Sequence, residues 1–362
     1  LLEVKTIILR RLPVLVYNPQ TSKIAEGNEP DPTVTSIYFD DPKFSLYTQK
    51  VGHAGDASSL RLRWYGNLSE QTQILLEKKV IGDANESEEQ RFPIKPKYVL
   101  PFTNGDFKME KAITKLEERA GQDAGKTKQF KDAVNNIKDF ITKTKVQPML
   151  RANYTRTAFE IPGDDRVRIS LDTNLAFIRE DALDSVRPCR DPKDWHRSDI
   201  DRTQMEYPFS TINKGEISRL PYAILEIKIR GGKNYEWVQE LMSSHLVKEV
   251  PRFSKFIHGA AVLFEDYVNA FPFWLGLTET DIRTDPQTAF QEEQDRKAAI
   301  AAENQVVGSL FGSKASPAGG RRTSMRAAIS SPAGSPAVKS SLERQHDFAK
   351  ATPEMTRTEA AK

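Results

Sequence analysis

The chain is short of the residues that build metal-based or thiol-based sites. A single cysteine, Cys189, stands among 362 residues. That excludes an intramolecular disulfide and a cysteine-based zinc site, and it fits a reducing compartment. The histidines, His53, His196, His245, His258 and His346, are scattered without metal-ligand spacing. Each reads as structural or exposed. No Gly-x-x-x-x-Gly-Lys loop is present, so a P-loop nucleotide site is excluded. No apolar run approaches the length of a membrane span. No signal peptide is visible, because Leu1 begins in mid-pattern. The chain is therefore expected to be a piece of something larger. Charge of one sign is also lacking: charged residues make up 28%, yet the net charge is only +3. Any anion site has to come from local arrangement rather than from global basicity. No Ser/His/Asp arrangement can be argued from spacing.

What is present is a strand pattern. Leu60-Arg61-Leu62-Arg63-Trp64-Tyr65-Gly66 and Ile74-Leu75-Leu76-Glu77-Lys78-Lys79 each alternate as β-strands do. Gly66-Asn67 is the turn signal between them, which predicts an antiparallel hairpin. Successive side chains point to opposite faces, so Arg61, Arg63, Glu77 and Lys79 share one. Taken alone, this hairpin fits the wet face of an ordinary antiparallel sheet better than a binding face.

The remaining chain frames that hairpin. Residues 1–12 have helical spacing, and Pro13 ends them before an extended run, Val14-Leu15-Val16-Tyr17. A polar loop is expected over 18–33, a strand over 35–39, a further short strand over 44–49, and a Gly-containing connection over 51–59. Residues 82–89 read as an acidic turn, and an extended pattern resumes from Arg91 to about Leu100. Helices are expected over 109–120 and 129–144, then strands over 154–161, 166–172, 175–179 and 222–230. Residues 180–217 read as irregular, and Gly231-Gly232 ends the last strand. Helices are predicted over 235–247 and 253–267, the second the most amphipathic in the chain, with Lys255 and His258 off its apolar stripe. Asp285-Pro286 has the form of a helix start. Trp64 and Tyr65 could stack on a base, but packing is the better reading. Beyond Gly312 the Ser/Pro/Ala/Gly composition cannot bury enough to order itself. Ser331 and Ser335 there read as plain linker serines ahead of a modification site. The division expected is a domain over 1–285, a charged helix over 286–310 and a disordered tail over 311–362.

Four of the clearest strands repeat one design: an aliphatic face, and a face of cations with fewer acids. The second kind carries Arg61 and Arg63; Glu77 and Lys79; Arg166 and Arg168; Glu226, Lys228 and Arg230. If these faces converge they form a cationic cavity, in which like charges repel by on the order of 1 kcal/mol per pair even in bulk water. An anion filling the cavity relieves that. The anion that matches is long and multiply charged, a polyphosphate or a nucleoside triphosphate. Arginine offers its phosphates a two-pronged fork and lysine a point charge. A carboxylate among the cations suits a divalent ion that bridges phosphates, and Glu226 is the better candidate.

At these residues the chain resembles the central domain of the fungal vacuolar transporter chaperone (VTC) subunits, a branch of the triphosphate tunnel metalloenzymes. The resemblance is carried by Leu12-Pro13-Val14-Leu15-Val16, Ser36-Ile37-Tyr38-Phe39-Asp40, Arg61-Leu62-Arg63-Trp64-Tyr65-Gly66, Arg166-Val167-Arg168-Ile169-Ser170-Leu171-Asp172, Pro221-Tyr222-Ala223-Ile224-Leu225-Glu226-Ile227-Lys228 and Phe253-Ser254-Lys255-Phe256-Ile257-His258-Gly259. It spans roughly residues 1–275. It implies an α+β fold: a closed antiparallel β-barrel tunnel with flanking helices. By motif position Arg61, Arg63, Lys79, Arg156, Arg168, Lys228 and Lys255 would bind phosphate, and Glu226 would hold Mn²⁺ or Mg²⁺. Catalytic members take the γ-phosphate of ATP and extend a polyphosphate chain.

The resemblance also implies partners and place: other VTC subunits, polyphosphate, and the cytoplasmic face of the vacuolar membrane, reached through regions outside these residues. The family's first tunnel strand, its phosphate-sensing SPX domain and its membrane helices would lie outside this stretch. One departure bears on activity. Catalytic members carry a lysine two residues before an Arg-Phe pair; here the pair is Arg91-Phe92 and the position is Glu89. That resembles the accessory subunits, which bind polyphosphate without making it. The expectation is an accessory polyphosphate-binding domain. The alternatives are an active ATP-dependent polymerase and, from another class, a nucleic-acid-binding β domain, which the low net charge disfavours.

Overall fold

The computed structural model describes residues 1–15, 31–52, 57–81, 87–107, 109–119, 124–230, 235–279 and 285–311. The loop expected over 18–33, the acidic residues 82–86, the Gly231-Gly232 break and the tail with Ser331 and Ser335 lie wholly or mostly outside them. The described residues form two compact units, one within 1–233 and 250–279 and the other within 234–249 and 280–340.

In the first unit the elements run α1 (Leu2–Leu9), β1 (Thr33–Asp40), α2 (Ser45–Val51), β2 (Ala57–Tyr65), β3 (Ile74–Ile81), β4 (Ser87–Ile94), α3 (Pro96–Thr103), α4 (Glu110–Arg119), α5 (Ala124–Thr144), β5 (Gln147–Ile161), β6 (Asp164–Arg179), α6 (Ser198–Arg202), β7 (Ile217–Arg219) and β8 (Ile224–Ile229). After α7 (Glu236–Ser243) of the second unit, the first resumes with α8 (Lys255–Leu263) and α9 (Leu275–Glu279). The second unit also holds α10 (Pro286–Phe311).

The strands make one eight-stranded antiparallel sheet in the order β4-β3-β2-β1-β5-β6-β7, with β8 also pairing with β6. The far half of β6 carries β7 (Ala176 opposite Arg219), and its near half carries β8 (Ser170 opposite Glu226). The predicted hairpin forms as β2–β3, with Arg61 opposite Glu77. Its alternation holds: Leu60, Leu62 and Trp64 are buried among apolar neighbours, while Arg61 and Arg63 face the other side. Trp64 packs edge-on against Trp195 at 6.0 Å, so it belongs to the core.

Three expectations are corrected. The strand expected over 44–49 does not form: residues 45–49 are helical, as part of α2, and Phe44 precedes its first turn. The Asp40 carboxylate at the end of β1 accepts the N–H groups of Leu46 and Tyr47, each at 2.9 Å. Those are orphan donors of a helix start, and Phe44, in the left-handed region at φ 56, turns the chain into it. The extended run after Ile94 stops early, because Pro96 opens α3 in the first turn, where its missing N–H costs nothing. Nor is the sheet closed into a barrel: no pairing among the described residues joins β4 to β7 or β8. Pro93, which cannot donate to a further ladder, marks β4 as an edge strand. The sheet is nevertheless curved, since the charges of Lys79 on β3 and Lys228 on β8 act on each other.

One sheet face packs on α5 and on α3, burying Leu62, Leu76, Phe92 and Ile137 in the main core. The buried Arg151 anchors the irregular segment after β6: its guanidinium donates to Glu180 and Asp201 at 2.7–3.1 Å and lies over the Trp64 ring. On the other face α8 packs against β5 and β6. Gly259 permits the approach, because a Cβ there would lie 2.6 Å from Leu150 and Phe177 side-chain atoms. In the second unit, Asp285 caps α10 by accepting the Thr288 N–H at 2.9 Å, and Arg296 donates to Ser243 of α7 at 3.0 Å. No helix among the described residues is long and apolar enough to cross a membrane.

Candidate functional site

The polar faces of β2, β3, β5, β6 and β8 lie on the same side of the sheet, following the registers of the ladders. Tyr38 is opposite Arg61, Arg61 opposite Glu77, Lys79 opposite Glu89, Arg156 opposite Asp172, Glu160 opposite Arg168, and Arg168 opposite Lys228. Arg61, Arg63, Lys79, Arg156, Arg168 and Lys228 are on this surface, and α8 adds Lys255 from above it; Arg166 and Arg230 instead pair with Asp164 and Asp165 at the turn between β5 and β6.

Two buried carboxylates organise the cations. Glu77 accepts from Arg61 Nε at 2.6 Å and from Arg63 Nη2 at 2.5 Å, with Arg91 3.9 Å away. Burial works against its charge, but Arg61 and Arg63 outweigh that and hold its pKa below the usual carboxylate range. On the other side of the groove Asp172 accepts both prongs of Arg156, at 2.6 and 2.8 Å, and Lys255 Nζ at 2.6 Å. Burial again opposes the Asp172 carboxylate, and Lys255 and Arg156 again reverse the balance. Tyr154 supports this half, its ring under both Arg156 and Lys255 at 5.3 and 4.7 Å. Each acid thus serves as a fixed internal counter-ion that holds two cations in place.

The rest of the surface is more open. Arg168 Nε lies 3.2 Å from Glu160, and Lys228 Nζ lies 3.1 Å from Glu226. The Glu226 side chain is 42% exposed, with Arg156 at 3.9 Å. Partial burial disfavours its charge, but Lys228, Lys255 and Arg156 hold its pKa well below the usual range. Lys79 is pushed below the ordinary lysine value, first by burial, with Glu89 opposing and Lys228 and Arg61 adding to the shift. Arg63 Nε and Ser36 Oγ, on residues directly opposite across β1–β2, are buried without a hydrogen-bond partner among the described residues.

Four residues of this surface escaped the sequence reading of the site. Lys50 of α2 reaches it, donating to Ser59 Oγ at 3.0 Å. It follows directly on residues 44–49, expected to be extended, and only the helical turn of α2 carries it over β2. Arg91 and Tyr154 belong to strands outside the four whose cationic faces stand out in the sequence, and Tyr38 joins through its hydroxyl, which accepts from Arg61 Nη1 at 3.5 Å. Glu89 is also placed differently. It is not in an acidic turn but in β4, half-buried and opposite Lys79.

Among the described residues no group of three or more His, Cys, Asp and Glu could hold a metal ion. Among the described residues Glu226 is the open carboxylate beside Arg156 and Lys228, since Glu77 is held by Arg61 and Arg63 and Asp172 by Arg156 and Lys255. That donor set fits a hard divalent ion only where phosphate oxygens supply most of the coordination, as Mg²⁺ and Mn²⁺ accept.

Comparison with known proteins places this arrangement. Residues 1–264 match the VTC domain. Vacuolar transporter chaperone complex subunit 2 of Schizosaccharomyces pombe is 40% identical over 318 residues, covering 84% of this chain and 42% of that protein. Subunit 2 of the same complex in Saccharomyces cerevisiae is 36% identical over 352 residues, covering 82% and 42%. Subunit 4 of Schizosaccharomyces pombe is 39% identical over 287 residues, covering 78% and 38%. The chain thus spans about two fifths of the length of these curated relatives, which carry two different subunit names at nearly equal identity. Among solved structures, the PH1819 protein of Pyrococcus horikoshii OT3 aligns over 48% of this chain and 65% of its own at 11% identity, with a TM-score of 0.24 too low to bear on the fold. By the match over most of its length, the chain belongs to the VTC domain family.

Proposed function

We propose that this domain binds a condensed phosphate, polyphosphate or a triphosphate, along the basic face of the curved sheet, as an accessory part of a vacuolar transporter chaperone complex that makes polyphosphate. The observation that carries the reading is the convergence of Arg61, Arg63, Lys79, Arg156, Arg168, Lys228 and Lys255 on one surface. These cations, with Lys50 and Arg91, outnumber the carboxylates Glu77, Glu89, Glu160, Asp172 and Glu226 among them. A polyanion completes the balance, and forks already oriented by Glu77 and Asp172 lose little freedom on binding it.

The relatives are named as subunits of one complex. On this reading the partners are other subunits of that complex, and the domain works at the cytoplasmic face of the vacuolar membrane, tethered through regions outside these residues. On the same reading nucleic acid is not a partner, in keeping with the net charge of only +3. A second reading, an active polymerase using ATP and Mn²⁺ or Mg²⁺, is favoured by one observation: Glu226 stays open beside Lys228 and Arg156, where a divalent ion could bridge to phosphate. Glu89 opposite Lys79 weighs against it, because an acid there opposes a phosphate.

The test is thermal melting of the chain with long-chain polyphosphate at low salt. A ligand at 100 times its Kd stabilises by about 2.7 kcal/mol, and the effect declines as salt screens it. An unchanged melting temperature would overturn the binding reading, and displacement of bound polyphosphate by single-stranded DNA would overturn the exclusion of nucleic acid. Incubation with ATP, Mn²⁺ and a pyrophosphate primer separates the two readings: robust chain growth would replace the accessory assignment with the polymerase.

A further inference from the structure

The cations of the groove differ in how they are neutralised. Arg61 and Arg63 share Glu77, Arg156 and Lys255 share Asp172, Arg168 has Glu160, Lys228 has Glu226, and Lys79 has Glu89 across the ladder. Lys50 has no carboxylate partner among the described residues. Its ammonium donates to the Ser59 hydroxyl at 3.0 Å, and the charges that act on it are those of Lys79 and Arg61. Ser59 and Lys79 are themselves directly opposite on β2 and β3. Three cations from three elements, α2, β2 and β3, therefore act on one another at the end of the groove away from Arg63, with Lys50 held on the Ser59 hydroxyl.

This placement is built into the fold. α2 exists because Asp40 caps its first turn, and Lys50 stands in its last turn, reaching over the start of β2. The same element was expected to be a strand, and its lysine is not among the residues that carry the family resemblance. Of the other elements packed on α2, β1 presents Asp40 at the opposite end of the helix and Tyr38, bonded to Arg61. α8 presents Lys255, held by Asp172, and His258, whose ring lies 5.3 Å from Phe177. None of these neutralises Lys50.

We infer that Lys50 and Ser59, with Lys79, form a further phosphate subsite at this end of the groove, engaged by a phosphoryl unit of a condensed phosphate that extends past the arginine cluster. The inference rests on the anion-binding reading above and adds to it a position and a proton. Burial first, then Lys79 and Arg61, push the Lys50 pKa down to about 7. Near neutral pH much of this lysine is therefore uncharged until a phosphate oxygen arrives and stabilises its protonated form. Binding at the subsite takes up a proton from solution, with no bond made or broken in the phosphate chain.

The experiment is isothermal titration of the 362-residue chain with long-chain polyphosphate at pH 7.5, in two buffers of different ionisation enthalpy. The unaltered chain is expected to bind with uptake of most of one proton per site. Lys50→Gln should weaken binding about tenfold, the value of one lost charge-assisted hydrogen bond, and abolish the uptake. Lys50→Arg, permanently charged, should keep the affinity within about twofold while the uptake disappears. Melting without ligand should show no loss of stability for Lys50→Gln, because a repelled cation has been removed, and a modest loss for Lys50→Arg, whose charge stays in place beside Lys79 and Arg61. If Lys50→Gln binds as tightly as the unaltered chain, or if the uptake persists in Lys50→Arg, the subsite is overturned while polyphosphate binding stands. If the unaltered chain binds no polyphosphate, the broader reading fails and this one with it.

Discussion

Glu89 lies directly opposite Lys79 across the β3–β4 ladder, on the same face as the arginine cluster. Its charge raises the pKa of Lys79 against the lowering effect of burial. An acid at this point neutralises a cation that could otherwise meet a phosphate, and repels the phosphate itself. Glu89→Lys removes both effects. The expected result is tighter polyphosphate and triphosphate binding, by about tenfold at low salt, with the difference shrinking as salt rises. Titration across a salt series checks it, and an unchanged affinity would show that residue 89 does not meet the ligand.

Glu77 and Arg168 should part company when altered. Glu77→Gln leaves Arg61 and Arg63 part-buried without their shared counter-ion. Breaking such a pair on one side costs about 3–5 kcal/mol, and added polyphosphate should recover part of it. Arg168 is 35% exposed and pairs with Glu160 at 3.2 Å. Arg168→Ala should change stability by no more than about 1 kcal/mol while weakening polyphosphate binding. Denaturant unfolding with and without ligand separates the two outcomes.

Gly259→Ala is expected to destabilise the first unit although it adds only a methyl group. The new Cβ would lie 2.6 Å from Leu150 Cδ2 and Phe177 Cδ1, so α8 has to retreat or the core repack, at about 1–3 kcal/mol. Because α8 positions Lys255 over Asp172, polyphosphate affinity should fall with it. Melting and binding measured on the same variant check the coupling.

His258 sets an acid limit on stability. It is buried, its Nδ1 has no partner among the described residues, and burial pushes its pKa down to about 4 from 6.5. The unfolded chain takes up a proton at this group below pH 6.5 while the folded chain resists it down to about 4. Stability is therefore unaffected above that window, falls as pH drops through it, and carries the full penalty below it. His258→Phe should flatten this part of the stability-versus-pH curve, measured by urea unfolding at a series of pH values.

Much of the groove was legible before any fold was known. Alternation is a local property: a strand sends every second side chain to the same side. Leu60, Leu62, Val167 and Ile169 therefore assign Arg61, Arg63, Arg168 and Lys228 to the opposite face without reference to anything distant. Hairpin pairing then aligns Arg61 with Glu77 and Arg168 with Lys228, because short loops or a shared strand limit the register. The same logic fails at chain segments whose form is set from elsewhere. Residues 44–49 look extended until the Asp40 carboxylate supplies the donors' partner and turns them into α2.

The sequence by itself determined which residues are cationic, which strands carry them and which way those strands face, together with membership of the VTC domain family. Only the tertiary structure decided that Glu77 and Asp172 are buried counter-ions, that Glu89 opposes Lys79, that Lys255 descends from α8 onto Asp172, and that Lys50 joins the groove through Ser59. The same holds for the open edge at β4, where the barrel was expected to close. The physical reason is range. Side-chain direction follows from the backbone of a few neighbouring residues, whereas counter-ion pairing, burial and the pKa of Lys50 depend on which distant elements the packing of α2, α8 and the sheet brings within a few ångströms.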